Sequence, residues 1–552
     1  MLVQTDVSHL ADCYFEFIAR QFPVMSASDE FHFLPRAEKA AEYYHRLDRV
    51  DAESITHIIQ ELKQFKHQFA TLDTANLSAE KKTDIDLIIS NISGTLIELD
   101  KKKSLAHNPL LYLKIGFIGI DHALHKPSTS LRETSDRVVG RLNELPQLLK
   151  QGAANLSLVP ESFFQASVSM TTDCIHYLKQ VAASFRPVPG QKVLFEKGVA
   201  SSLDALKRYR TFLSASVPVP DDHVSGNTLD ACLKDHFMSS RTLDEIFQIG
   251  ADEWHNNMRH LEAVGRKIDP DIPWDKLYHQ VSPDEIGDGR IASRYITESD
   301  NLMVFFKDKG LINDIPCNRL TIAETPFYLR SVRGSASFAA ALTMNEHEND
   351  FFYITTNRFD EAEQEAATHL ERRLHREYKF LTAHETVPGH FLLDSVRRKL
   401  ENPIRRQIES PLFYEGWATY AETLLADSGY VTRPEDRLVD FRRRLWRAAR
   451  CQIDAGFPRG KLDMNGAVRL LTRTGFSEEE AVGQIKRFCL TPGYQLCYCL
   501  GSYEITKLKN TYGHRTGLQE FHDILLGGGE LPFHLVEKRL EASLNPDTRS
   551  IN

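Results

Sequence analysis

The chain of 552 residues predicts a mainly α-helical fold, and three observations carry the prediction. Apolar residues recur every three or four positions through long stretches, the period of an amphipathic helix. Capping signals punctuate the pattern: Thr242 with Glu245, Ser282 with Glu285 (Pro283 between them), and Ser477 with Glu480. Strand-like material is confined to 318–357. A hydrophobic share of 42% and a charged share of 26% belong to an ordinary globular protein. The formal net charge of −9 argues against nucleic acid as a partner. No apolar run reaches the roughly 18 residues of a membrane span, so no membrane partner is expected.

From the N-terminus, "AEKAAEYYHRLDRV" (37–50), "SITHIIQELKQFKHQF" (54–69) and "DIDLIISNISGTLIELDKK" (84–102) each carry the helical period. Proline-marked breaks follow at 186–190 and at 216–226. The second divides an N-terminal helical lobe, 1–215, from a second region, 216–552. Three strands are expected within "NRLTIAETPFYLRS", "SASFAAALTM" and "DFFYITTN". "GGG" at 527–529 lacks the Lys-Ser/Thr of a phosphate loop and reads as a turn. The eight cysteines are scattered. Cys497 and Cys499 flank one residue, closer than a zinc knuckle spaces its ligands, so with Cys489 they read as buried reduced thiols. The start, "MLVQTDVSHLADCYFEF", has no basic segment leading into an apolar one, and a cytoplasmic protein is expected.

The chemistry concentrates in "FLTAHETVPGHFLL", residues 380–393. His384 and Glu385 open it like the helix of a zinc hydrolase, but the second histidine arrives at His390, after Pro388 and Gly389. Two histidines on one zinc need ring nitrogens roughly 3–3.5 Å apart. On a regular helix, positions six apart differ by roughly 240° and 9 Å of rise, which forbids it. A shared metal therefore demands a broken helix. Pro388 supplies the break, because its ring clashes with the carbonyl of His384, and Gly389 supplies backbone freedom for a bulge or a short unwound turn. Downstream, "LFYEGWATYAETLL" places Glu415 and Glu422 on one face of a helix whose neighbours Phe413, Trp417, Ala418 and Ala421 look buried. Buried carboxylates need a partner, and a metal is a natural one.

These two motifs, "HETVPGH" and "EGWATYAE", resemble those of the bacterial family known as domain of unknown function 885. The likeness is strong over about 320–535, through "AARCQIDAGF", "GFSEEEAVGQIKRFCLTPGYQLCYCLGSYEI" and "EFHDILLGGGELP", and weak over the first 220 residues. The resemblance implies a zinc metallopeptidase related to the gluzincins. It implies two helical lobes around a deep cleft, with a small β-sheet beside the zinc. The third ligand in that class is a glutamate on the helix after the histidines, which is Glu415 here, with Glu422 in support. The chain departs from the family pattern at Leu393, where glutamine is usual, and at Pro458, where "DAGFP" replaces a histidine.

With zinc on His384, His390 and Glu415, one position stays open for water, and Glu385 is the base that takes its proton. The charge developing on a substrate carbonyl needs a donor from among Tyr494, Tyr498 and Tyr503; Tyr498 matches the family tyrosine. Arg487 is a candidate for binding a substrate carboxylate. His522 reads as structural. "SASFAAAL" could be an edge along which an extended peptide pairs. The expected function is hydrolysis of short peptides, as a carboxypeptidase or dipeptidyl carboxypeptidase. The alternatives are a zinc amidohydrolase on a non-peptide amide and a non-catalytic helical binding protein.

Overall fold

The computed structural model describes residues 6–221, 226–284, 288–313, 319–356 and 368–544. Regular structure among them is almost entirely α-helical, with one small sheet. Three strands form it: β1 (Leu320–Glu324), β2 (Ala336–Ala339) and β3 (Asp350–Ile354). They fall inside the three predicted stretches. β3 is central, parallel to β1 and antiparallel to β2, with Phe338 opposite Phe352. The period-two pattern of β3 buries Phe352 and Ile354 against Leu374, Tyr378 and Leu381 of a helix. β2 is an edge strand.

Seven helices after residue 242 position the site: α1 (Leu243–Ile268), α2 (His369–Glu385), α3 (His390–Arg398), α4 (Pro411–Asp427), α5 (Pro434–Gly456), α6 (Glu478–Phe488) and α7 (Gln495–Thr516). The predicted capping boxes of Thr242 and Ser477 start α1 and α6. A third, Thr368 with Glu371, starts α2. Ser282 and Pro283 begin no helix within the described residues, and Glu285 lies outside them. The break at 216–226 lies partly outside them too. The helix before it ends at Ala215.

The segment 37–50 departs from expectation, being only a 3-10 helix over Glu38–Tyr43. Its flanks are tied elsewhere. Arg36 donates to Glu409 and to the carbonyls of Ala340 and Ala341, and the Leu47 amide donates to Glu144. Those long-range bonds override the local helical period. The N-terminal helices share one apolar core with the rest of the chain, running from Val7 to Leu540.

A buried ion network binds α2, α4 and α5 together. Arg443 bridges Glu377 at 2.5 Å and Glu422 at 2.8 Å, and Arg442 meets Glu377 at 3.1 Å. Burial alone would raise the Glu377 pKa, but Arg443, Arg442 and Arg373 outweigh it and hold the value at about 2. A depressed carboxylate stabilises the fold above its unfolded pKa near 4.5, and this is lost as pH falls toward 2. The contribution is about 3 kcal/mol. Unfolding free energies measured across pH 2–5 should show this loss in the parent, and the matching segment should be missing in Glu377→Gln.

Candidate functional site

α2 ends at Glu385 and α3 begins at His390, so the six-residue spacing is met by stopping one helix and starting another. The connecting turn is anchored by long-range and local bonds. The Trp417 indole donates to the Pro388 carbonyl at 2.9 Å, and the Thr386 amide donates to Thr382. The Val387–Pro388 peptide is cis. Gly389 lies directly on the end of α2, where a Cβ would sit 2.0 Å from the His384 carbonyl oxygen. The turn thus folds His390 back over His384, their rings 4.8 Å apart and nearly perpendicular.

α4 brings Glu415 to the two rings. Its Oε2 is 3.3 Å from His384 Nε2 and 3.6 Å from His390 Nε2. Those edges are close to the roughly 3.3 Å expected around a tetrahedral zinc. One ligand atom from each residue falls within 4.8 Å of the others, and all three residues are buried. His384, His390 and Glu415 are a group that could hold a metal ion. α4 comes this deep because Gly416 packs on Gly501 of α7; a Cβ on Gly416 would sit 2.6 Å from the Gly501 Cα.

The electrostatics of the group fit a cation. Burial works against a charged His384, yet contacts with Glu415 and Glu422 lift its pKa to about 9. Burial also pushes Glu415 up, but His384 and His390 hold it well below the usual carboxylate range. Glu415 Oε2 makes no hydrogen bond, although it faces two imidazole nitrogens. A buried carboxylate oxygen so placed needs positive charge.

Glu422 sits behind the group, with Oε1 2.9 Å from His384 Nδ1. Arg447 Nη2 lies 3.3 Å from the same nitrogen and ion-pairs with Glu422. The guanidinium can only donate, so the shorter carboxylate contact assigns the Nδ1 proton to a bond with Glu422. In the neutral ring that a metal would require, this leaves the Nε2 lone pair directed at Glu415 and the cavity.

A cavity of about 330 Å³ opens over the histidines, lined by Glu385, Tyr494, Tyr498, Arg487 and residues 334–338 of the sheet edge. The N-terminal half contributes His32, Asn108 and Lys114. Glu385 is buried beside the ligands, and burial pushes its pKa up. Tyr494 donates to Glu415 Oε1 at 2.6 Å. Tyr498 stacks 6.1 Å from the His384 ring, with the Arg450 guanidinium 3.9 Å from its own centroid. Tyr503 does not line this cavity. Arg487 stands at the wall, partly open to solvent, and its partial enclosure and the charge of Arg373 both push its pKa down.

Leu393 is a buried core residue of α3, and Pro458 lies past the end of α5; neither lines the cavity. His522 is buried, bonded to Tyr420 and to the Leu311 carbonyl. Cys497 and Cys499 are buried free thiols, and Cys489 is partly buried.

Sequence reasoning passed over Arg443, Arg447, Tyr494 as the Glu415 partner, and His32, whose ring lies 4.9 Å from Tyr494. It passed over Asp454 as well, which accepts the amides of Gly493 and Leu496 and so holds the start of α7. The spacing of Arg443, Arg447 and Arg450 at four and three residues was the available signal, one helix face aimed at the glutamate helix.

Fold and site together define a class: a mainly α-helical protein with a buried two-histidine, one-glutamate group at the wall of a cavity. The chain belongs to the family described as bacterial protein of unknown function (DUF885), whose model matches residues 35–540. No curated protein matches the sequence. Two solved structures share the fold. One, a candidate lipoprotein of unknown function from Shewanella oneidensis, has a TM-score of 0.75 at 17% identity, covering 97% of this chain and 99% of its own. The other, a candidate lipoprotein from Colwellia psychrerythraea, has a TM-score of 0.79 at 16% identity, covering 98% and 100%.

These neighbours overturn the cytoplasmic expectation. Both are described as lipoproteins, a class held at a membrane by a lipid anchor, so the fold does not signal the cytoplasm. The free thiols are no guide to compartment either, since Cys174, Cys232, Cys451, Cys497 and Cys499 are shielded by burial. Among the described residues no helix is long and apolar enough to cross a membrane.

Proposed function

We propose that this protein is a zinc-dependent peptidase of the gluzincin type, hydrolysing short peptides in the cavity above His384 and His390. The observation that carries the reading is the convergence of His384, His390 and Glu415 beside the buried carboxylate of Glu385. Two imidazoles and a carboxylate suit zinc, and leave a position open as catalytic sites do. Zinc bound there supplies Lewis-acid polarisation of a carbonyl and acidifies water at the site.

The remaining work falls to the chain. Glu385 takes a proton from the attacking water and returns it to the leaving amine. Burial that raises its pKa suits a group that must hold a proton between those two steps. Tyr498 keeps its proton, because burial and Glu415 push its pKa well above the ordinary value, and it donates to the developing oxyanion. Tyr494 and Glu422 hold Glu415 and His384 in place through their hydrogen bonds. The β2 edge offers backbone groups to an extended substrate.

Metal analysis of the purified protein, with mass spectrometry of a peptide mixture after incubation, tests the reading. About one zinc per chain is expected, lost in His384→Ala and His390→Ala, and new peptide termini should appear. Full zinc occupancy in His390→Ala would sink the ligand assignment. Zinc without peptide cleavage would move the substrate to a non-peptide amide, and no metal at all would leave a binding protein.

A further inference from the structure

Among the described residues, three arginines line the same cavity with no carboxylate at ion-pair distance: Arg373 of α2, which feels Glu377 only at longer range, Arg450 of α5 and Arg487 of α6. The other cationic side chains around them are neutralised. Lys114 and Arg333 pair with Glu30, Arg443 with Glu377 and Glu422, and Arg447 with Glu422. Arg450 is only 8% exposed, yet its recorded acceptor is the neutral Gln495 side-chain oxygen. A buried guanidinium held by an amide, with Asp454 acting on it only at longer range, keeps its charge without an ion-pair partner.

The three belong to one wall. Arg373 and Arg450 both lie over the Trp446 ring, at 5.5 and 5.0 Å, and Arg450 also lies over Phe488, next in sequence to Arg487. The Arg373 Nε and the Trp446 indole N–H are buried donors with no acceptor. Two unsatisfied donors and three guanidinium groups without an ion-pair partner on one cavity wall suit an anion with several acceptor lone pairs.

The sheet edge sets the distance from the histidines. Phe338 of β2 stacks beside the His390 ring at 6.2 Å, while Ser335, just before β2, accepts from Arg373 Nη2 at 2.7 Å. The three-residue step from Ser335 to Phe338 spans roughly 10 Å of extended chain. A peptide paired along β2 advances at the same rise per residue, so two residues and one charge-assisted bond of roughly 2.8 Å cover that distance.

We propose that Arg373, Arg450 and Arg487 form a subsite for the α-carboxylate of a peptide C-terminus, placed about two residues beyond the bond cleaved. This rests on the peptidase reading and narrows it to release of one or two residues from free C-termini. Hydrolysis adds water across the amide: the new carboxylate stays with the upstream piece, and the proton goes to the departing amine.

The test compares tetra-alanine with its C-terminal amide on the full-length, zinc-loaded protein. In the Glu385→Gln background, calorimetry should show the free acid binding at least about tenfold more tightly than the amide. Arg487→Ala and Arg450→Gln should each erase that preference by weakening the acid far more than the amide. In the parent, mass spectrometry should find alanine or dialanine released from the acid and little from the amide. Equal affinities, no binding of either peptide, a preference that survives both arginine variants, or products longer than two residues would each overturn the subsite. If the acid binds preferentially and the arginine variants abolish this, but the parent cleaves neither peptide, the subsite stands and the peptidase reading falls.

Discussion

Replacing Glu385 with glutamine is expected to leave zinc bound and lower peptide turnover by at least ~10²-fold. The substitution keeps the shape of the side chain and removes its capacity to accept a proton. Little else should change, because among the described residues Glu385 makes no ion pair with an arginine or lysine, and it lines open cavity space. Glu415→Ala is expected to differ, losing metal and activity together, since Glu415 Oε2 stands between the two Nε2 atoms. Zinc analysis and turnover, measured on both variants, separate base from ligand. A Glu385→Gln protein as active as the parent would remove Glu385 from the chemistry.

Deleting Pro388 and Gly389 is expected to destabilise the protein by several kcal/mol, although it turns "HETVPGH" into the regular spacing of "HETVH". On a continued helix the downstream residues shift by two positions, roughly 200° about the axis. Phe391, Leu392 and Leu393 are 2%, 1% and 1% exposed, so that rotation takes three core side chains out of the core. The Trp417 indole also loses the Pro388 carbonyl, leaving a buried donor unsatisfied. Gly389→Val should be damaging for another reason: its Cβ would meet the His384 carbonyl oxygen at 2.0 Å. Pro388→Ala keeps the chain length and the carbonyl, and is expected to be milder. Thermal and chemical unfolding measure all three, and a deletion variant as stable as the parent would show that the turn has no structural role.

Much of the local structure was legible in the sequence. The capping boxes of α1 and α6 and all three strands lie where the residues predict them, because each depends on neighbours a few positions apart. The broken helix was legible for the same reason. Pro388 acts on a carbonyl four residues away, and the spacing of His384 and His390 can be set against helix geometry without knowledge of the fold. The helical reading of 37–50 failed where bonds to Glu409 and Glu144, far along the chain, outweighed the local period.

The sequence by itself therefore determined the helical class, the place of the small sheet, and the identity of the three side chains that could hold a metal. Only the tertiary structure decided what surrounds them. Tyr494 reaches Glu415 across 79 residues, and Arg447 reaches His384 across 63. Nothing within "FRRRLWRAAR" supplies a carboxylate for its arginines, and a charged side chain is ordinarily costly to bury. α5 nevertheless buries them, because Glu377 of α2 and Glu422 of α4 meet Arg442, Arg443 and Arg447 there. Arg450, one turn further along the same helix, has no carboxylate at ion-pair distance among the described residues, and that difference exists only in three dimensions. Helix periodicity is a property of neighbouring residues, whereas a charge is compensated by whatever the fold brings within a few ångströms.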